Sequence, residues 1–119
     1  MSHEEIDRLM VESQNWSFLR GSNVPPRFDC QGFCLLVLKR FKMLPESFEP
    51  LTATDWREYV TPISKPEPMC IVMMERELLH MGIAVDKYSF LHFTRQGLCL
   101  SRIYEPKLLK TIRGYYKVD

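Results

Sequence analysis

The order of residue types along the chain predicts an α+β domain, with N-terminal helices packed on an antiparallel β-sheet. Two observations carry this reading. Helix-type apolar spacing is confined to the first 42 residues, and five short β-type runs crowd residues 69–118. The size agrees: 119 residues that are 45% hydrophobic can bury one ordinary core as a single domain over 1–119.

The first helix is expected over residues 2–13. Ser2 with Glu5 has capping-box spacing, and Ile6, Leu9 and Met10 fall on one face. Residues 14–29 read as a loop, because Gly21, Ser22, Asn23 and the pair Pro25-Pro26 break regular structure. A second helix begins at Asp29 or Cys30 and runs to about Lys42. Asp29 suits the N-cap, and Lys39, Arg40 and Lys42 suit the negative end of the helix dipole. Its body, GFCLLVLKRFK, is apolar nearly all round, as in a helix at the centre of a domain.

Residues 43–68 carry five prolines and give the weakest pattern. Asp55 and Glu58 suggest a short helix at 55–61, with Trp56 and Tyr59 docked on the core. Beyond it come MCIVMMER (69–76), LLHMGIAVD (78–86), YSFLHFT (88–94), GLCLSRIY (97–104) and IRGYYKV (112–118). Turns are expected at Asp86-Lys87 and Gln96-Gly97, and one helical turn at Lys107–Lys110.

Several function classes are disfavoured. Sixteen basic residues meet fifteen acidic ones, for a net charge of +1, so no strong positive field invites nucleic acid. The opening MSHEEIDRLM lacks the basic and apolar regions of a secretory signal, so the expected location at synthesis is the cytoplasm. The longest apolar stretch, within 33–38, is too short for a membrane span. Four cysteines with no signal peptide read as thiols. Cys34, Cys70 and Cys99 sit in apolar surroundings and suit small buried hydrophobes.

Cys30 differs from them. At a helix N-terminus, unpaired backbone N–H groups and the dipole stabilise a thiolate and lower its pKa. The same N–H groups can hold a developing oxyanion. Gly32 would leave room beside the thiol for a substrate backbone. A nucleophilic cysteine needs a base, and there are three histidines. His3 lies near the terminus. His80 and His92 lie on adjacent predicted strands, where a hairpin can bring them together. The plainer reading of each, a buried thiol and satisfied core imidazoles, stands beside this one. A zinc site of Cys30, Cys34, His80 and His92 matches no usual spacing. Trp16, Phe18 and Arg20 either line a groove or anchor a loop, and the four methionines between 69 and 81 read as core filler.

Three segments taken in order resemble the NlpC family of papain-like cysteine peptidases: Phe28-Asp29-Cys30-Gln31-Gly32, His80-Met81-Gly82-Ile83 and Phe90-Leu91-His92-Phe93. The ending Ile112–Lys117 resembles the closing strand of short phage-borne members, and the likeness covers roughly residues 14–117. The resemblance implies a papain-like fold with Cys30 as nucleophile, His80 as base and His92 orienting it. Phe18, Asp29, Gln31 and Gly32 are then placed at substrate or oxyanion positions. The implied substrate is a peptidoglycan stem peptide, with no metal or organic cofactor. A phage or prophage tail setting, with other tail proteins as partners, is the further expectation. The chain departs from the family pattern at Gln31, usually serine, and at Phe18, where the family has a tyrosine. Two other classes therefore stay open: a catalytically weak structural module of the same fold, and a papain-like acyltransferase.

Overall fold

The computed structural model describes residues 1–50, 53–75 and 79–119. Helix α1 spans His3–Glu12. Its capping box is complete: the Ser2 hydroxyl accepts from the Glu5 N–H at 3.1 Å, and the Glu5 carboxylate accepts from the Ser2 N–H at 2.8 Å. Ile6 and Leu9 are its buried face.

Residues 14–29 are more regular than the loop expected from sequence. After one 3₁₀ turn at Ser13–Asn15 they form three two-residue strands: β1 (Ser17–Phe18), β2 (Asn23–Val24) and β3 (Arg27–Phe28). β1 pairs parallel and β2 antiparallel to β3. Strands this short leave no period-two signal to read.

Helix α2 spans Cys30–Arg40 with Asp29 as N-cap. It buries Phe33, Leu35, Val37 and Leu38 and packs on the main sheet. Each such side chain contributes about 1.5–3 kcal/mol of burial. Arg40 reaches back to Glu12 of α1 in a bidentate pair at 2.7 and 2.9 Å.

The main sheet has six strands: β4 (Val60–Ile63), β5 (Ile71–Glu75), β6 (Leu79–Ala84), β7 (Ser89–Thr94), β8 (Gly97–Arg102) and β9 (Ile112–Val118). Their spatial order is β4-β9-β5-β6-β7-β8, and every pairing is antiparallel. The α+β fold is thus as expected. The helix expected at 55–61 is not. A 3₁₀ turn at Ala53–Trp56 leads instead into β4. Pro62 explains this: it disfavours helix at Thr61, and a proline is tolerated in a sheet only at an edge, where β4 lies. Trp56 and Tyr59 do dock, both against Phe48. Of the expected strand residues, Arg76 and Leu78 lie outside the described residues.

Strands β5 to β7 are buried on both faces, which is why their runs look continuously apolar. Ile71, Met81, Ile83, Leu91 and Phe93 face the α2 side. Val72, Met74, Ala84 and Phe90 form a second cluster with Cys70 and Ile103. Helix α3 (Pro106–Leu109), the expected single turn, adds Leu108 to that second face.

Candidate active site

Asp29 fixes the start of α2 and the loop above it. One carboxylate oxygen accepts from the Gly32 N–H at 2.7 Å, and the other accepts from the Gly21 N–H at 2.8 Å. The first bond caps the helix. The second holds the 19–22 turn over its first residues. Gly32 is required by this packing. A Cβ there would sit 2.3 Å from the Ser22 carbonyl oxygen and 2.9 Å from the Asn23 Cα. The space expected to receive a substrate backbone is therefore filled by the protein's own loop.

Cys30 is half-buried at the first position of α2, and the wall of a cleft of about 1020 Å³ includes it together with His80, Asp29, Gln31 and Phe18. The expectation of a lowered thiol pKa is not met. Burial is the largest influence and pushes the Cys30 thiol up, and the Asp29 charge adds to it. The N–H groups of Met81, Gln31 and Cys30 itself oppose this only in part. At neutral pH the resting form is accordingly the thiol, and nucleophilic attack needs a base to remove its proton.

His80 stands on β6 and His92 on β7. The ladder between them registers Ile83 with Leu91 and Ala84 with Phe90. Past that point the two imidazoles bridge the strands: His80 Nε2 lies 2.8 Å from His92 Nδ1. This contact engages Nε2 of His80. His92 is 3% exposed, packs against the Phe90 ring at 4.7 Å, and lies behind His80 rather than on the cleft wall. Gly82 makes the close approach possible. A Cβ there would meet the Leu91 carbonyl oxygen at 2.7 Å and the His92 Cβ at 3.1 Å.

Phe18 lines the cleft, stacked 6.3 Å from Phe93 with the Arg95 guanidinium 6.0 Å above its ring. It supplies an apolar wall and no hydroxyl. Trp16, weighed equally for groove and core, packs on Phe28, Phe33 and Phe93 as an anchor. Arg20 is on the cleft wall, as the groove reading expected. His3 is exposed on α1. Cys34 and Cys70 are buried, and burial raises both thiols.

Several cleft residues were not singled out from sequence. Arg57 and Arg95 join Arg20 on the wall, and among the described residues none of the three pairs with a carboxylate. The acidic side chain on the wall, Asp29, is occupied by its two N–H donors. The cleft is therefore cationic at its rim and mostly apolar in its depth, with Trp56, Val60, Ile71, Met73 and Tyr116. Ser101 was also missed; its Oγ lies 2.9 Å from His92 Nε2. The signal for it existed. A turn at Gln96-Gly97 pairs Thr94 with Gly97, which sets His92 opposite Cys99 and diagonal to Ser101.

No family profile and no curated protein matches the chain. Among solved structures, it is similar to the crystal structure of a lipoprotein-like protein of the NLP/P60 family from Staphylococcus aureus, with a TM-score of 0.71 at 16% sequence identity. The match covers 99% of this chain and 42% of that one, so the chain spans less than half the length of that protein. No described helix is long and apolar enough to cross a membrane. At this identity the likeness is one of architecture: the chain has the α+β fold of an NLP/P60 protein.

Proposed function

We propose that the protein is a cysteine hydrolase that cleaves amide bonds in bacterial peptidoglycan stem peptides. The observation that carries this reading is the alignment of Cys30 and His80 on one cleft wall, with His80 held through Nε2 by His92. His80 Nδ1 takes the Cys30 proton as the sulfur attacks the amide carbonyl. The N–H groups near the sulfur stabilise the oxyanion. Collapse expels the amine, which receives the proton from His80, and leaves a thioester on Cys30. Water, deprotonated by His80, then releases the acid and restores the thiol. The NLP/P60 architecture and three arginines at the rim, none paired with a carboxylate among the described residues, support a carboxylate-rich peptide as substrate. A phage or prophage tail is the setting we infer from the family resemblance alone.

The test is digestion of purified peptidoglycan by wild type and Cys30→Ala, with mass analysis of the fragments. New amino termini released by wild type alone are expected. Release by neither, across walls of several peptide types, overturns the substrate. Two observations favour a second reading, a catalytically weak module of the same fold: Phe18 gives the cleft no hydroxyl, and burial raises the Cys30 thiol. Under it, Cys30 would label with iodoacetamide no faster at neutral pH than Cys34, Cys70 or Cys99.

A further inference from the structure

The two imidazoles do not end the polar chain that starts at Cys30. His92 is 3% exposed, so each of its ring nitrogens needs a partner inside the protein. Nδ1 faces His80 Nε2 at 2.8 Å, and Nε2 faces the Ser101 hydroxyl at 2.9 Å. The direction of these bonds follows from the chemistry asked of His80. To receive a thiol proton on Nδ1, neutral His80 must carry its own proton on Nε2 and donate it to His92 Nδ1. Neutral His92 then carries its proton on Nε2 and donates it to Ser101 Oγ. When His80 becomes an imidazolium, its Nε2 still donates, so the whole chain keeps one polarity through the reaction. With the opposite polarity, Ser101 would donate to His92 Nε2, and His92 Nδ1–H would donate to His80 Nε2. That arrangement puts the proton of neutral His80 on Nδ1, where no thiol proton can be taken up.

We infer that Ser101 is a positioning residue that holds the His92 ring and, by accepting the His92 Nε2–H, satisfies the one His92 tautomer that leaves His80 able to take up the thiol proton. The role rests on the reading of His80 as the base of Cys30. A hydroxyl is suited to the place because it can accept here and its own proton is free to rotate away from the ring. The strand register also suits it. Ser101 pairs with Phe90, whose ring packs against His92, so one β7–β8 register sets both the ring's stacking and its hydrogen bond. The logic matches that of a buried residue orienting a catalytic imidazole from behind.

The experiment is long-range ¹⁵N–¹H NMR of the histidine rings in wild type, Ser101→Ala and Ser101→Thr, joined to the pH profile of Cys30 alkylation by iodoacetamide. In wild type the neutral His92 ring is expected to carry its proton on Nε2. Ser101→Ala should lose that uniform tautomer and slow Cys30 alkylation near pH 7 by about tenfold. Ser101→Thr, which keeps the hydroxyl, should restore both. A wild-type His92 with its proton on Nδ1 overturns the proposal whatever the variants do. So does a Ser101→Ala protein with unchanged tautomer and unchanged alkylation. The failure of the hydrolase reading is separate. It would show as Cys30 in wild type labelling no faster than the other three thiols, while the His92 tautomer is still read directly.

Discussion

Asp29 couples the stability of the fold to the acidity of the Cys30 thiol, and its two roles separate on substitution. Asp29→Ala removes the 2.7 Å bond to the Gly32 N–H and the 2.8 Å bond to the Gly21 N–H. The first is a helix N-cap, worth about 1 kcal/mol. The second ties down an exposed turn, and a further loss of about 1 kcal/mol is expected. Together, about 2 kcal/mol corresponds to a fall in Tm of roughly 8 °C for a chain of this length. Asp29→Asn is the sharper test. Its amide oxygen keeps the cap, but its NH₂ group then faces the Gly21 N–H, donor against donor, so about 1 kcal/mol is lost. At the same time the negative charge that raises the Cys30 thiol is gone. The Asn variant should therefore be less stable than wild type while its Cys30 is the more acidic. Urea titration at unchanged m value measures the first, and the pH midpoint of Cys30 alkylation, followed by peptide mass, measures the second. An Asn variant as stable as wild type, with an alkylation midpoint unmoved or shifted to higher pH, refutes the reasoning.

The remaining predictions concern the base, the rim, the sheet and the other thiols. His80→Ala should lower single-turnover hydrolysis by about a hundredfold or more. Its Cys30 should label appreciably only above the ordinary thiol range, because burial raises that pKa and no base offsets it; labelling at the wild-type rate would remove His80 from the mechanism. Replacing Arg20, Arg57 and Arg95 together by Glu should raise KM for a carboxylate-rich stem peptide by about tenfold at low salt, with a gap that closes as ionic strength rises. A KM and salt response equal to wild type would show that the rim does not read charge. Gly82→Ala should destabilise by about 1–3 kcal/mol in urea titration, because the new Cβ lies 2.7 Å from a backbone oxygen. The buried thiols of Cys34 and Cys70 make stability fall in alkali. Their folded pKa values lie above the unfolded value of about 8.5, so their contribution is complete below that pH and is lost as pH rises through the folded values. The urea midpoint should drop as pH rises above about 8.5, and the drop should be shallower in Cys34→Ala.

The sequence was most legible where one physical signal dominated. The capping box at Ser2 and the acidic N-cap at Asp29 place both helix starts to within a residue. The β-type runs from 69 onward correspond to β5–β9; in β5–β7 their apolar residues are buried on two faces, and the turns carry Asp86 and Gly97. Legibility failed where context overrode local pattern. Asp55 and Glu58 have helical spacing, yet Pro62 and an edge position beside β9 draw the following residues into β4. At the site, the spacing of Cys30, His80 and His92 anticipates that the two imidazoles meet and that Cys30 and His80 share a cleft, but not their environment. Nothing local to Cys30 reveals that its thiol is desolvated, since the burial comes from elements distant in sequence. Ser101 was within reach, because the Gln96-Gly97 turn alone sets its register against His92. It was passed over because a serine in an apolar strand gives no chemical cue until its neighbour across the sheet is known.

The two glycines of the site segments connect these levels. Gly32 and Gly82 each lie where a Cβ would strike a backbone carbonyl, of Ser22 in one case and of Leu91 in the other. Neither glycine touches the chemistry. Gly32 lets the 19–24 segment press on the first turn of α2, which carries Cys30, and Gly82 lets β7 press on β6, which brings His92 against His80. Positions set by backbone contact hold to a narrower range than positions set by long side chains, because the backbone has only φ and ψ to adjust. In the proposed mechanism, Cys30, His80 and His92 held this way lose little entropy in reaching the reactive arrangement. Changes at these two glycines should then lower reactivity at Cys30 by more than their cost in stability explains. A loss of alkylation rate no greater than the fraction unfolded would instead mean that the site tolerates looser packing than its contacts imply.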